Sequence, residues 1–454
     1  MAIRSTMHAP RMVRAAVLAG VTAMLAATPA AAHVKWFSEF SFQDSPRGVG
    51  QVVGPAFIAL AVLSVIVVAG MVPLDAWLRH QPWYQRLNGW LEARAGQSRL
   101  VMRVGTGAVL LLAWQADLVL LPDLPIAAAW EGWLQFFLAL LLLFEATTAI
   151  AGAGLLLLFG LGVARAGLYY MLDYVLVLGI GYYLIVTGSR SARLAGSGLP
   201  ALYLTVGFSL CWVALEKLVW PEWGLYVLQQ NPQLAMGLDL RFFLTAAAFI
   251  EFCLGYLLII NLLQRPLALV ITLVFFTTTM VFGKTEVIGH TLIHAALVVF
   301  ILEGPGTVFR PPIALHRRMG LRTAFAAVNL VVLLAVMLPL YAWGAEARHR
   351  AALRNPAPSE AGPDAPPNAA RGAGADAGAT RDTGRGLKPA AGNAISPVSA
   401  RCARRTGLQP LGWATPALRR PARRDAREVL RSRAGSGIRR STPRALPQEV
   451  TASL

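Results

Sequence analysis

Glu286, His290 and His294 recur every four residues in an otherwise apolar stretch of the chain. On a helix that spacing puts all three on one face, over roughly 12 Å of its length. Glu251 stands alone in a second apolar stretch, and Glu216-Lys217 close a third. Carboxylates and imidazoles in apolar surroundings mark proton paths, because each can give or take a proton near neutral pH once its environment tunes it. Glu251, His290, His294 and Glu286 are therefore the candidate catalytic groups, and Glu216 and Lys217 the candidate substrate-binding pair. A simpler reading stands beside this one, in which buried carboxylates pair with a lysine or tyrosine to hold helices in register. For Glu145 and Asp173, which stand at matching places upstream, the structural role is the simpler expectation.

The elements that carry these residues are membrane spans. The chain has 454 residues, 56% of them hydrophobic and 14% charged, with a mean hydropathy of +0.55. A soluble domain carries about a quarter charged residues. Runs such as Val101 to Leu121, Phe136 to Leu161 and Leu267 to Phe282 hold almost no charge, and runs of this length cross bilayers. An ionisable side chain inside one costs roughly 2.5–3.5 kcal/mol to insert, so each needs a partner or a function. Spans are predicted near 52–72, 103–121, 132–148, 150–164, 167–187, 201–219, 240–260, 267–283, 286–303 and 323–343, the fourth being the weakest.

Loop charge orients them. Arg79, Arg86, Arg94 and Arg99 follow the first span, Arg190 and Arg193 the fifth, Arg265 the seventh, and Arg310, Arg317, Arg318 and Arg322 the ninth, whereas 122–131 and 220–239 contain no Lys or Arg. The positive-inside rule then places the basic loops in the cytoplasm and the mature N-terminus in the periplasm, as in a multi-pass protein of the cell inner membrane. The net charge of +18 does not point to nucleic acid, because from Ala345 onward the chain holds 20 Lys+Arg against 8 Asp+Glu, leaving +6 for the membrane body.

The two ends read differently. Arg4, Arg11 and Arg14, the short apolar run Ala15 to Ala27 and the small residues Ala30-Ala31-Ala32 have the layout of a signal peptide, 1–32. Cleavage after Ala32 would make His33 the first residue, whose amine and imidazole together suit copper; this is the one candidate metal ligand. No CxxC pair exists among Cys211, Cys253 and Cys402, so neither a disulfide framework nor a thiolate metal site is expected. The segment 345–454 is rich in Ala, Pro, Gly and Arg, a composition that buries too little apolar surface to order itself. Between the ends lie a periplasmic segment (33–51), a first span with its basic loop (52–100), two four-helix units (101–199 and 200–303), and a loop with the last span (304–344).

The two units echo each other. Trp133-Leu-Gln-Phe136-Phe137-Leu, with Glu145 eight residues after Phe137, parallels Asp239-Leu-Arg-Phe242-Phe243-Leu, with Glu251 eight residues after Phe243. Trp114 before Pro122 parallels Trp212 before Pro221. Four spans is an even number, so the units would be parallel repeats about an axis along the membrane normal. The fold class expected is all-α: a polytopic bundle of about ten transmembrane helices containing two such repeats.

The second unit resembles the DoxX family of small membrane proteins. Gly207 with Leu215-Glu216-Lys217-Leu218 is similar to that family's glycine and Lys-Leu in the first helix. Glu251-Phe-Cys-Leu-Gly255 is similar to its Glu-x-x-x-Gly, and Arg265-Pro-Leu-Ala268 to its Arg-x-x-Ala turn; His290 falls where members often carry a membrane histidine. The likeness covers roughly 200–303, with a fainter copy over 101–187 that lacks a match for Lys217. It implies a four-helix unit working near the quinone pool, either as a quinone-linked oxidoreductase or as the membrane subunit of a redox complex with a partner protein; quinone is the one cofactor it suggests. Two further classes stay open: a carrier for a small solute or ion, which discontinuous helices would favour, and a structural scaffold. Gly283-Lys284-Thr285 is not a phosphate loop, since Thr278 holds the required first glycine position.

Overall fold

The computed structural model describes residues 34–38, 40–306 and 311–354. The expected signal peptide, His33 and the tail beyond Arg354 lie outside them. Twelve helices frame the described chain: α1 (Pro55–Arg79), α2 (Pro82–Glu92), α3 (Ser98–Gln115), α4 (Ala129–Leu141), α5 (Thr148–Ala166), α6 (Leu176–Val186), α7 (Ala192–Val219), α8 (Pro221–Gln230), α9 (Leu240–Ile259), α10 (Gln264–Phe282), α11 (Lys284–Glu303) and α12 (Met319–Arg354). Each of the ten predicted spans coincides with one of these helices, α2 and α8 being short additions. Among the described residues the sole β feature is one bridge between Leu118 and Pro125.

Among the described residues the protein is all-helical, and seven helices are long and apolar enough to cross a membrane: α1, α5 with its leading turn from Glu145, α7, α9, α10, α11 and α12. A bent pair, Leu168–Tyr174 with α6, makes an eighth. Their outward faces are apolar, as lipid requires: Ile58, Val62, Leu63 and Ile66 on α1, and Val328, Val331, Val332 and Val336 on α12, are all exposed.

Several boundaries differ from expectation, each for a local reason. The second predicted span stops at Gln115, because Asp117 and Leu120 turn the backbone into the left-handed region. The loop that follows is held by buried Gln135, which accepts from Leu120 N (2.7 Å) and donates to the carbonyls of Leu110 and Leu118 (both 3.0 Å). The third, α4, has 13 residues and reaches about 20 Å; extended backbone at Phe144 ends it before Glu145. The fourth, expected to be the weakest, is instead one of the seven long apolar helices. The fifth is broken, with a 61° bend between Leu168–Tyr174 and α6. The last runs past the expected tail boundary at 345 to Arg354, and its extension is tied down: His349 Nδ1 lies 2.9 Å from Phe42 O, and Arg348 sits over the Phe42 ring.

Helices α3, α4, α5 and α6 pack in a ring, each on the next and the last on the first; α7, α9, α10 and α11 form a second ring with the same order. The rings meet reciprocally, α6 against α7 and α11 against α3. Small residues make these seams, with Gly179 facing Thr205 and Gly105 facing Ala295. Within the second ring α7 and α9 touch backbone to backbone at Gly207 and Gly255, where close approach is what small residues provide in membranes. Helices α1 and α12 flank the rings, α1 on α9 and α12 on both α1 and α7. Between α1, α9 and α12 lies an apolar groove of about 380 Å³, whose lining includes Phe57, Ser64, Phe249, Cys253 and Leu334.

Arg265 ties one end of the bundle together. Its guanidinium donates to the carbonyls of Ile301 (2.9 Å) and Leu302 (3.1 Å) at the end of α11 and to Asn88 Oδ1 on α2 (2.6 Å). A helix C-terminus leaves carbonyls unsatisfied and partially negative, so a buried arginine is well placed there.

Candidate functional site

Lys35, in a 3₁₀ turn of the N-terminal segment, enters the far end of the bundle and is fully buried. Its Nζ lies 2.6 Å from Asp173 Oδ2 and 2.7 Å from Glu216 Oε2, and both carboxylates are sealed from solvent. Asp173 sits just before the break that precedes α6, so the bend aims its side chain inward across the seam toward α7. Burial by itself would lower the pKa of Lys35; Asp173 and Glu216 outweigh it and raise it well above the ordinary value, so the ammonium stays charged through the neutral range. The Tyr170 ring faces the same ammonium at 4.8 Å.

Next to this triad, Lys217 pairs with Glu251 at 2.6 Å, linking α7 to α9. On α11, Glu286 is fully buried, accepts from Thr278 Oγ1 at 2.5 Å and lies 3.1 Å from His290 Nδ1. His290 is sandwiched, its ring stacked on Phe275 at 4.3 Å and 5.1 Å from the ring of Trp36. Trp36 follows Lys35, donates to Tyr174 Oη (2.9 Å) and presses against Gly289, where a side chain would clash with it. A cavity of about 50 Å³ remains among Asp173, Glu251, His290, Tyr174, Ser209 and Trp36, room for a few waters at most.

On the outer side, Asp123 accepts from Tyr170 and from Tyr174 (2.9 Å). Burial pushes its carboxyl above the ordinary range, against the lowering effect of the two tyrosine hydrogen bonds. Phe40 and Phe42 then close the mouth against Tyr169, Tyr170, Trp220 and Trp223.

The structure thus gathers Glu216, Lys217, Glu251, Glu286 and His290 in one centre. His290 shares the cavity with Glu251, whereas His294, half-buried edge-on to Phe275 at 6.2 Å, does not line it. The cavity is small, and Trp36 of the N-terminal segment lines it. Asp173 joins the centre through its ion pair with Lys35, as a structural role also provides, while Glu145 is exposed and pairs with Arg99 at 2.5 Å. Lys35 was missed altogether. Two signals point to it: a lone cation in Val34-Lys-Trp-Phe, and the four carboxylates Asp173, Glu216, Glu251 and Glu286, which outnumber the ammonium of Lys217 beside them.

Among the described residues no group of three or more His, Cys, Asp or Glu side chains could hold a metal ion. Comparisons with protein-family models, with curated proteins and with solved structures give no match to this chain.

Proposed function

We propose that this chain is a ten-span, DoxX-like protein of the cell inner membrane, built on two parallel four-helix repeats, whose buried charged centre handles protons for quinone-linked redox chemistry as a membrane subunit beside a redox partner. One observation carries the reading: Asp173, Glu251 and His290, three groups able to exchange protons, face one water-sized cavity with Lys35 and Lys217 behind them. Reducing a quinone consumes two electrons and two protons. The centre would relay the protons; the electrons would come from the partner or its substrate. A quinone ring does not fit about 50 Å³. The apolar groove between α1, α9 and α12, at about 380 Å³, lies in the size range of small-molecule sites and suits an isoprenoid quinone. The sidedness follows from loop charge: Arg79, Arg86, Arg94 and Arg265 collect at the end opposite Lys35, which puts the centre on the periplasmic side.

The test is quinone reduction by native membranes containing the chain, with candidate electron donors. Glu251→Gln should slow the reaction at least tenfold, since a positioned proton-transfer group contributes about 10²–10⁴ in rate. A rate equal to wild type would remove the redox assignment.

A small-cation carrier is the second reading, and the broken helix at Asp173 favours it, because discontinuous helices line the substrate sites of many transporters. Cation uptake into proteoliposomes that is lost in Asp173→Asn, with quinone reduction unaffected, would select it.

A further inference from the structure

We infer that α2 is an interfacial helix that lies in the headgroup layer of an anionic bilayer surface and holds the Arg265 end of the bundle against it.

Helix α2 has 11 residues, about 16 Å, far too short to cross the hydrocarbon. Its sequence divides it into three faces. Tyr84 and Leu91 are buried, and with Asn88 they form the side that meets the bundle, where Arg265 donates to Asn88. Trp83, Leu87 and Trp90 are exposed at 53%, 43% and 55%; their spacing of four and three makes a single stripe, a quarter-turn from the buried side. Gln85, Gly89 and Glu92 occupy the opposite, polar side.

Exposed tryptophans in a stripe need a medium that is apolar on one side and wet on the other. The headgroup boundary is such a medium, and tryptophan is enriched there. Position supports it, for α1 ends at Arg79 and α2 begins at Pro82, so the helix starts where an apolar span leaves the bilayer. Charge supports it too. The guanidinium of Arg94 rests 3.7 Å over the Trp90 ring, and Arg86 is exposed. Cations beside a tryptophan stripe complement anionic headgroups. Through Arg265, which also caps α11, the surface helix is fastened to the helix carrying Glu286 and His290.

The experiment uses the full chain with Cys402→Ser, leaving the buried Cys211 and Cys253 in place. A polarity-sensitive fluorophore is attached at Leu87→Cys or, separately, at Gln85→Cys, in nanodiscs of phosphatidylcholine alone or with an equal part of phosphatidylglycerol. The Leu87 label should be quenched by spin-labelled lipid and shielded from acrylamide, and the Gln85 label should behave the opposite way. The unfolding temperature should rise with phosphatidylglycerol, and Arg86→Gln with Arg94→Gln should abolish that rise. Equal acrylamide access at the two positions would overturn the interfacial placement. So would shielding of Leu87 that appears only when other membrane proteins are added. An unfolding temperature indifferent to phosphatidylglycerol would overturn the anionic preference.

Discussion

Replacing Lys35 by methionine should lower the unfolding free energy of the full chain by about 3–5 kcal/mol, the range for removing one member of a buried ion pair. The apolar stem survives in this variant; the ammonium does not. Asp173 and Glu216, both sealed from solvent, are then left facing each other across the vacated position. Neither can turn to water, because Trp36, Tyr170 and Trp223 wall the site. The triple variant Lys35→Met, Asp173→Asn, Glu216→Gln should recover much of the loss, since uncompensated charge rather than missing volume is the cause. Urea titration in a mild detergent measures both. A loss below about 0.5 kcal/mol for the single variant, the scale of an ordinary surface change, would mean that Lys35 does not enter the bundle.

The second large effect is expected at Gly255. A Cβ there would sit 2.5 Å from the carbonyl oxygen of Gly207, 2.9 Å from Cys211 Sγ and 3.0 Å from Cys211 N. Two of these three are backbone atoms of α7 and cannot rotate away. Gly255→Val must therefore push α9 off α7, at a cost on the order of 3 kcal/mol or more, the upper part of the range for overpacked cores. The same displacement parts Lys217 from Glu251, which bridge these two helices at 2.6 Å, so function should fall with stability. Gly160→Val is the control: nothing lies within 4 Å of a Cβ at Gly160, and its unfolding midpoint should match wild type. Equal effects at the two glycines would deny the close approach of α7 and α9.

Much of this architecture was legible in the sequence because the membrane makes apolar length informative. Each predicted span meets a helix. Two of the boundaries that failed did so where apolarity continues through a turn: Leu118 to Leu121 and Leu142 to Phe144 are as hydrophobic as the helices beside them, and tertiary hydrogen bonds such as those of Gln135 decide that they are not helical. Glu216, Lys217, Glu251, Glu286 and His290 were visible because charge inside a span is costly. Asp173 and Lys35 were harder. Asp173 belongs to the first unit in sequence, and it joins the second unit's centre through a helix break that periodicity does not announce. Lys35 lies outside every span, in a segment whose burial depends on where it folds back. A lone cation among Val34, Trp36 and Phe37 hints at burial, but nothing beside it says at which end of the bundle it is buried.

The proposal that the centre exchanges protons can be tested without knowing the donor or the substrate. A pH titration of the full chain in lipid, followed by infrared difference spectroscopy, reads carboxyl protonation directly, since a carboxylic acid and a carboxylate absorb separately and the acid band shifts in deuterated water. A titrating carboxylic-acid band is expected, one that exchanges with deuterium and is lost or shifted in both Asp173→Asn and Glu251→Gln. A difference spectrum identical in wild type and both variants would mean that these carboxylates keep one protonation state throughout, and the centre would then be a structural clamp.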